Sequence, residues 1–170
     1  LDRKTALKLL LRPAKWCDLA RNKNHDLPGT MMTTLEAVKN AYPGALVWQF
    51  GDSPQLADEL AQRVLSGLKT ATCCSRVVWQ EEFARGEAPC EGSDNIILSG
   101  SGQPLCVIRT VRTQRIRFCD VTEALARQEG EGDLSLAHWR EGHKRYFERE
   151  GTYSEVMELI FEEFELIAVC

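Results

Sequence analysis

Gly67-Leu68-Lys69-Thr70-Ala71-Thr72-Cys73-Cys74 sets a lysine and two hydroxyls directly behind a glycine that can stop a helix. Extended backbone turns alternate side chains to one side, so Thr70 and Thr72 share a face at the mouth of which Lys69 stands. Such a lysine can hold a phosphate or polarise a carbonyl, and Thr72 can act as nucleophile or orient a water. An ordinary helix cap followed by a threonine-rich edge strand is the plainer account of the same residues. A carboxylate that could join them is Glu129. Val121, Leu125 and Glu129 recur at intervals of four, so Glu129 falls on an apolar helical stripe near the helix end. Partial burial and the helix C-terminus both disfavour its charge, and a protonatable carboxyl suits acid–base chemistry. A neighbouring Lys69 ammonium would pull its pKa back down, which leaves the net direction open. A frayed last turn that lets Glu129 reach water is the alternative.

Two further stretches carry chemistry. The stripe Ser135, Trp139, Gly142, His143, Tyr146 and Phe147 is aromatic with polar members, and His143 reads more readily as a hydrogen-bonded core histidine than as a catalyst. Arg109, Arg112, Arg115 and Arg117 lie along one strand-like run, either as a solvated face or as a phosphate-facing stripe.

The elements that must position these groups follow from local signals. Thr33 and Glu36 form a capping box for a short helix that Pro43-Gly44 ends. Leu46 to Phe50 reads as a strand. Ser53 caps, and Pro54 opens, an amphipathic helix with its stripe at Leu56, Ala57, Leu60, Ala61, Val64 and Leu65. A strand then runs to about Trp79, with a short helical turn at 80–85 and a loop at 86–92. Residues 95–98 and 105–118 read as strands joined through Gly100-Ser101-Gly102. Asp120 and Glu123 make a second capping box ahead of Glu129. A helix over 134–149 follows, and one terminal strand bulged at Glu162-Glu163 closes the chain. Strands with helices inserted at the corners predict an α+β domain built on a small closed or nearly closed barrel.

Over 170 residues the net charge of −4 argues against wholesale coating of a nucleic-acid backbone and does not exclude a local basic groove in an acidic body. Residues 1–31 are basic and the remainder acidic. We read 1–31 as an appended or upstream-translated extension, or else as a basic RNA-binding arm, and the domain proper as 32–170. The seven cysteines include no Cys-x-x-Cys pair, which argues against zinc spacing and a disulfide framework and for reduced thiols in a cytoplasm. No apolar run reaches membrane-spanning length, and a Walker loop, a dinucleotide fingerprint and His-Glu-x-x-His are all missing.

Taken in order, Phe50-Gly51-Asp52-Ser53-Pro54, Gly67-x-Lys69-Thr70-x-Thr72, Val107-Ile108-Arg109-Thr110 and Glu129-Gly130-Glu131-Gly132-Asp133-Leu134-Ser135 resemble the ASCH domain family (activating-signal-cointegrator homology), in its longer bacterial branch. The resemblance covers roughly residues 34–168. It implies a PUA-like β-barrel with helices framing a cleft, and RNA or nucleoside binding. In a shorter branch of amidohydrolases that remove acetyl from N-acetylated cytidine, the functional Lys and Thr lie in Gly-x-Lys-x-x-Thr, matched by Lys69 and Thr72. The functional Glu follows Ala-x-Gln, matched by Glu129 after Ala126-x-Gln128. The longer branch includes ribonucleases acting on single-stranded RNA. The segments 80–93 and 131–149 are larger here than in the amidohydrolases, so substrate identity does not transfer.

The resemblance thus implies Lys69, Thr72 and Glu129 as catalytic. Thr70, Arg109, Asp133, Ser135, Trp139 and His143 are the substrate-binding candidates. Lys69 is expected to point into a cleft beside Thr72 and Glu129, where truncation would change stability little. No metal ligand set is assigned, though a divalent ion is left open as a cofactor. Against a hydrolase stands a non-catalytic RNA-binding module, in which Lys69 and the arginines grip phosphate while Trp79 or Trp139 stacks a base. A protein-interaction module has only the acidic surface in its favour.

Overall fold

The computed structural model describes residues 34–170. The basic extension 1–31 and the Thr33 cap lie outside the described residues. Five strands, β1 (Leu46–Trp48), β2 (Ala71–Ser75), β3 (Asp94–Leu98), β4 (Pro104–Arg117) and β5 (Glu158–Val169), form one sheet in the order β1-β3-β4-β5-β2. The sheet curls into a half-barrel and is flanked by five α-helices. The architecture is the expected α+β, PUA-like one. β1 and β3 run parallel and every other pair antiparallel.

Local chemistry starts each helix. Thr34 accepts from the Ala37 amide and opens α1 (Leu35–Ala41), one residue later than the capping box suggested. Ser53 caps α2 (Pro54–Leu65), with proline at its first position as expected. Ser75 caps α3 (Arg76–Arg85), and this corrects the reading of a strand to Trp79. The β-branched pair Val77-Val78 favours a strand only weakly. A serine cap in front and a left-handed Gly86 behind outweigh it. Thr122, not Asp120, caps α4 (Glu123–Glu129), because Phe118–Asp120 is taken up by a 3₁₀ turn. Ser135 caps α5 (Leu136–Glu150).

The terminal strand is single, as read, but its irregularities lie elsewhere. Register against β4 skips Ile167 on β5 and Val111 on β4, rather than Glu162-Glu163. Glu162 and Glu163 keep regular partners in Thr113 and Arg112.

Three apolar clusters hold the layers together. α2 packs Leu60, Ala61 and Val64 on Ile97, Cys106, Ile108 and Phe164. α4 and α5 pack Ala126, Trp139 and Phe147 on Leu159, with Cys73 and Ile116 at the margin. Val38 of α1 and Tyr42, which follows the helix, pack on Ile96 and Val107. At about 1.5–3 kcal/mol for each large side chain fully buried, these faces supply the gross stabilisation against which polar burial must be offset. Among the described residues no helix is long and apolar enough to cross a membrane.

The approach of α4 to the start of β2 depends on Gly130. Its φ is +69°, and a Cβ there would stand 2.5 Å from the Leu68 carbonyl oxygen. Gly44 has φ +84° with nothing within 4 Å of the same position. Gly130→Ala should therefore lose more stability in urea unfolding than Gly44→Ala. The latter bears only the left-handed strain of about 1–3 kcal/mol. Equal losses would show that the contact relaxes freely.

Candidate functional site

Gly67, with φ +76°, turns the chain out of α2, and both Leu68 and Lys69 donate their amides to the Arg63 carbonyl. The next residue, Thr70, donates its amide to Gln128 O at 2.8 Å and accepts from Phe164 N at 2.9 Å. This clamps the end of α4 and the middle of β5 on either side of the strand entry. Arg63 closes the corner by donating to the Gly130 carbonyl at 2.6 Å. Lys69 and Glu129 are consequently brought face to face.

Lys69 does not open into a cleft. It is 1 % exposed, and its ammonium donates to Glu129 Oε2 at 3.1 Å, the Glu129 carbonyl at 3.0 Å and Glu131 Oε1 at 3.1 Å. Its Nζ also lies 5.2 Å from the centre of the Phe50 ring. Glu129, 1 % exposed, is held in place rather than frayed. The Trp139 indole donates to its Oε1 at 3.1 Å, and His143 Nε2 stands 3.5 Å from the same oxygen. His143 donates from Nδ1 to the Trp139 carbonyl at 3.0 Å and stacks on the Trp139 ring, centroids 4.2 Å apart.

Electrostatics settles the direction that the residues alone left open. Burial works to raise the Glu129 pKa, but Lys69 and then His143 outweigh it and hold the carboxyl below its ordinary value. Burial likewise works against the Lys69 charge, and Glu129 and Glu131 hold its pKa above the usual lysine value. For His143 burial is again outweighed by Glu129, which raises its pKa. Glu129 is thus an ionised carboxylate at neutral pH, and His143 is the group biased to carry a proton.

The other sequence candidates divide. Trp139 and His143 join the Lys69–Glu129 centre. Thr72 does not contact it: Cys73 pairs with Phe161 and turns to Glu129, so its neighbour Thr72 turns to the opposite face, beside Glu162. Asp133 and Ser135 shape the entry to α5, Asp133 Oδ1 accepting from the Ser135 amide at 2.9 Å. Arg109 is spent on a two-pronged ion pair with Asp94 at 2.7 and 3.1 Å, away from the centre. Arg112, Arg115 and Arg117 are exposed and also paired, to Glu163, Glu158 and Asp120. Trp79 stacks on Phe83 and Trp139 is buried against His143. Glu131 and Cys73 were not among the expected site residues. For Glu131 the available signal was its place between two glycines.

Cys73, Glu129 and His143 bring one ligand atom each within 4.8 Å, a spacing that could hold a metal. The surroundings fit a divalent ion poorly. Both Glu129 oxygens are already hydrogen-bonded, the Lys69 ammonium is 3.1 Å away, and burial keeps the Cys73 thiol well above its usual pKa. An open groove of ≈ 380 Å³ adjoins the centre between the end of α2 and β5, with Lys69, Thr70, Phe164 and Leu166 in its wall.

A family model of the ASCH domain matches residues 46–168. The chain belongs to the ASCH domain family. The ASCH domain of Lactobacillus crispatus JV V101 is 29% identical, with a TM-score of 0.67 over 77% of this chain and 84% of that one. A protein of Enterococcus faecalis V583 is 36% identical, with a TM-score of 0.65 over 73% of this chain and 77% of that one. No curated protein matches the sequence. ASCH domains are in general RNA-binding.

Two outcomes follow from the charges. Lys69→Ala strands Glu129 without its cation and should cost about 3–5 kcal/mol in denaturant unfolding. The double change Lys69→Met, Glu129→Leu should lose less than the single one; a larger loss would mean that the pair itself stabilises the fold. Secondly, burial, reinforced by Glu82, raises the Glu162 pKa to about 7. The folded state keeps that proton while the unfolded chain releases it near the ordinary carboxyl value. The group's contribution to stability is therefore complete at acid pH and lost as pH rises through 7. Glu162→Gln should gain on the parent by something on the order of 3 kcal/mol between pH 4 and pH 8. A difference in unfolding free energy that stays flat with pH would contradict the shift.

Proposed function

We propose that this ASCH domain binds single-stranded RNA or a modified nucleoside and hydrolyses it at the Lys69–Glu129 centre, with the nucleophile supplied by the substrate or by water. The observation that carries this reading is the unequal grip on Lys69. Two of its acceptors belong to buried Glu129, but the third is Glu131, whose side chain is 25% exposed on a glycine-flanked turn. A phosphate or carbonyl oxygen of a ligand can take the place of Glu131 on the ammonium, which would then stabilise charge developing on that oxygen. Glu129, already ionised, accepts the proton of the attacking hydroxyl, and His143 behind it relays or returns that proton. In RNA a ribose 2′-hydroxyl attacks its own phosphodiester, the bond to the next 5′-oxygen breaks, and that oxygen leaves with the returned proton. Water then opens the 2′,3′-cyclic phosphate. No protein nucleophile is needed, which suits a centre that Thr72 does not touch. Hydrolysis of the acetyl group of N-acetylated cytidine uses the same oxyanion stabiliser and base. Cys73, Cys74, Cys106, Cys119 and Cys170 are in no disulfide, which fits the cytoplasm as the place of action.

One observation favours the second reading, a non-catalytic RNA-binding module. All three Lys69 protons are satisfied inside the protein, as they would be in a purely structural node. Incubation with single-stranded RNA and with N-acetylated cytidine, with and without divalent metal, separates the two. An enzyme forms product, and a binder retards RNA and leaves it intact.

Glu131→Gln should tighten ligand binding severalfold, because it frees the ammonium of a competing charge. Glu129→Gln, once shown to be folded, should keep ligand affinity and lower turnover by on the order of a hundredfold or more. Turnover at the parent rate would remove Glu129 from the mechanism.

A further inference from the structure

On the face of β2 opposite Cys73, Thr72, Glu162 and Thr113 are direct cross-strand partners on three adjacent strands, so their side chains stand in one row. Glu162 is 6 % exposed. Its environment differs in kind from that of Glu129: the groups acting on it are the Thr110 hydroxyl and the Glu82 carboxylate of α3, with no cation among them.

The carboxyl is aimed by a hydrogen-bond chain whose polarity is fixed at its far end. The Trp48 indole can only donate, and does so to Asn95 Oδ1 at 3.1 Å. Asn95 Nδ2 therefore donates to Thr110 Oγ1 at 3.1 Å. The Thr110 proton is left for Glu162 Oε1, at 2.8 Å. This chain occupies one carboxyl oxygen and leaves the other, Oε2, without a hydrogen bond and not sealed from the surface. Oε2 is therefore the rigidly held carboxyl oxygen that can meet a donor from outside the protein. A second unfilled polar atom lies on the neighbouring helix. Trp79 Nε1 is sealed from solvent with no acceptor, one helical turn before Glu82 and so on the same side of α3.

We infer that Glu162, flanked by Thr72 and Thr113, reads the base of the bound nucleotide and selects bases that carry an exocyclic amino group. This rests on the RNA or nucleoside reading above. Above about pH 7, with Glu162 ionised beside Glu82, a phosphate is repelled, so the ligand group that fits here is a neutral N–H donor. Acceptance of a cytosine N4 or adenine amino proton by a carboxylate is a recurrent pairing. Uracil presents its one Watson–Crick donor between two carbonyl oxygens, which the carboxyl repels. The role is one of specificity, separate from the Lys69–Glu129 chemistry on the other face of β2.

The test is fluorescence anisotropy with oligo(C), oligo(A) and oligo(U) of equal length at one salt concentration and at pH 8.5, where Glu162 is ionised. The parent should prefer C and A over U by about tenfold, within the range expected of one good base contact. Glu162→Gln, which presents a donor as well as an acceptor, should bring that preference to within about twofold. Glu162→Asp, which keeps the charge but withdraws it by one methylene, should do the same and serves if the amide variant fails to fold. Equal binding of all three oligomers by the parent, or a preference that survives both substitutions, overturns the inference while leaving RNA binding standing. No binding to any of the three overturns the RNA reading and this inference with it.

Discussion

The interaction on which the rest depends is the buried ion pair between Lys69 and Glu129. At 3.1 Å and out of water the attraction is strong, but so is the cost of stripping both charges of solvent, several kcal/mol per ion. The pair is tolerable only because every remaining valence is filled: the ammonium by a carbonyl and a second carboxylate, the Glu129 carboxylate by an indole N–H and an imidazole. Each of those partners is fixed by a separate feature. Gly67 turns Lys69 inward, Gly130 lets the chain after α4 touch Leu68, and Ser135 starts the helix that carries Trp139 and His143. The apolar clusters beneath α2 and α5 offset the cost and hold these elements apart from solvent.

β2 separates two opposite electrostatic regimes. On the Cys73 side a carboxyl is compensated by a full cation and kept ionised. On the Thr72 side Glu162 is compensated by a single hydroxyl and keeps its proton to about pH 7. A five-residue edge strand can divide them because its alternation sends successive side chains to opposite faces. The first regime would suit anionic oxygen on a ligand, and the second, once ionised above about pH 7, an N–H donor. A nucleotide carries both.

Much of this was legible in the sequence because it is local. The Ser53-Pro54 start and Gly67 stop of α2, the long arginine-bearing strand and the single terminal strand follow from capping chemistry and periodicity. The i, i+4 spacing of Val121, Leu125 and Glu129 correctly put the carboxylate on a buried stripe. What the sequence hid is what depends on register. Whether Cys73 or Thr72 faces Glu129 is a matter of strand parity relative to a helix more than fifty residues away. The bulges at Ile167 and Val111 arise from pairing β4 with β5, which neither strand encodes alone. Thr34 and Thr122 displaced the expected caps by one and two residues, since several hydroxyls or carboxylates competed at each start.

The arginines of β4 bear on the RNA reading of a chain with a net charge of −4. Each is exposed and paired to a carboxylate, so the strand presents no uncompensated basic stripe. Exposed pairs of this kind contribute only about 0–1 kcal/mol, so a phosphate can exchange for a carboxylate at little cost. Little net energy is gained by that exchange either. Backbone contacts here can position a strand without binding it tightly, and discrimination must then come from rigid groups that meet the ligand's functional atoms. The rigid polar groups in this fold are those flanking β2: an ammonium locked between two carboxylates on one face, and a carboxyl aimed by Thr110 on the other. On the RNA reading, affinity resting on so few groups would depend less on salt and more on the identity of the nucleotide than that of a protein that coats nucleic acid by charge alone.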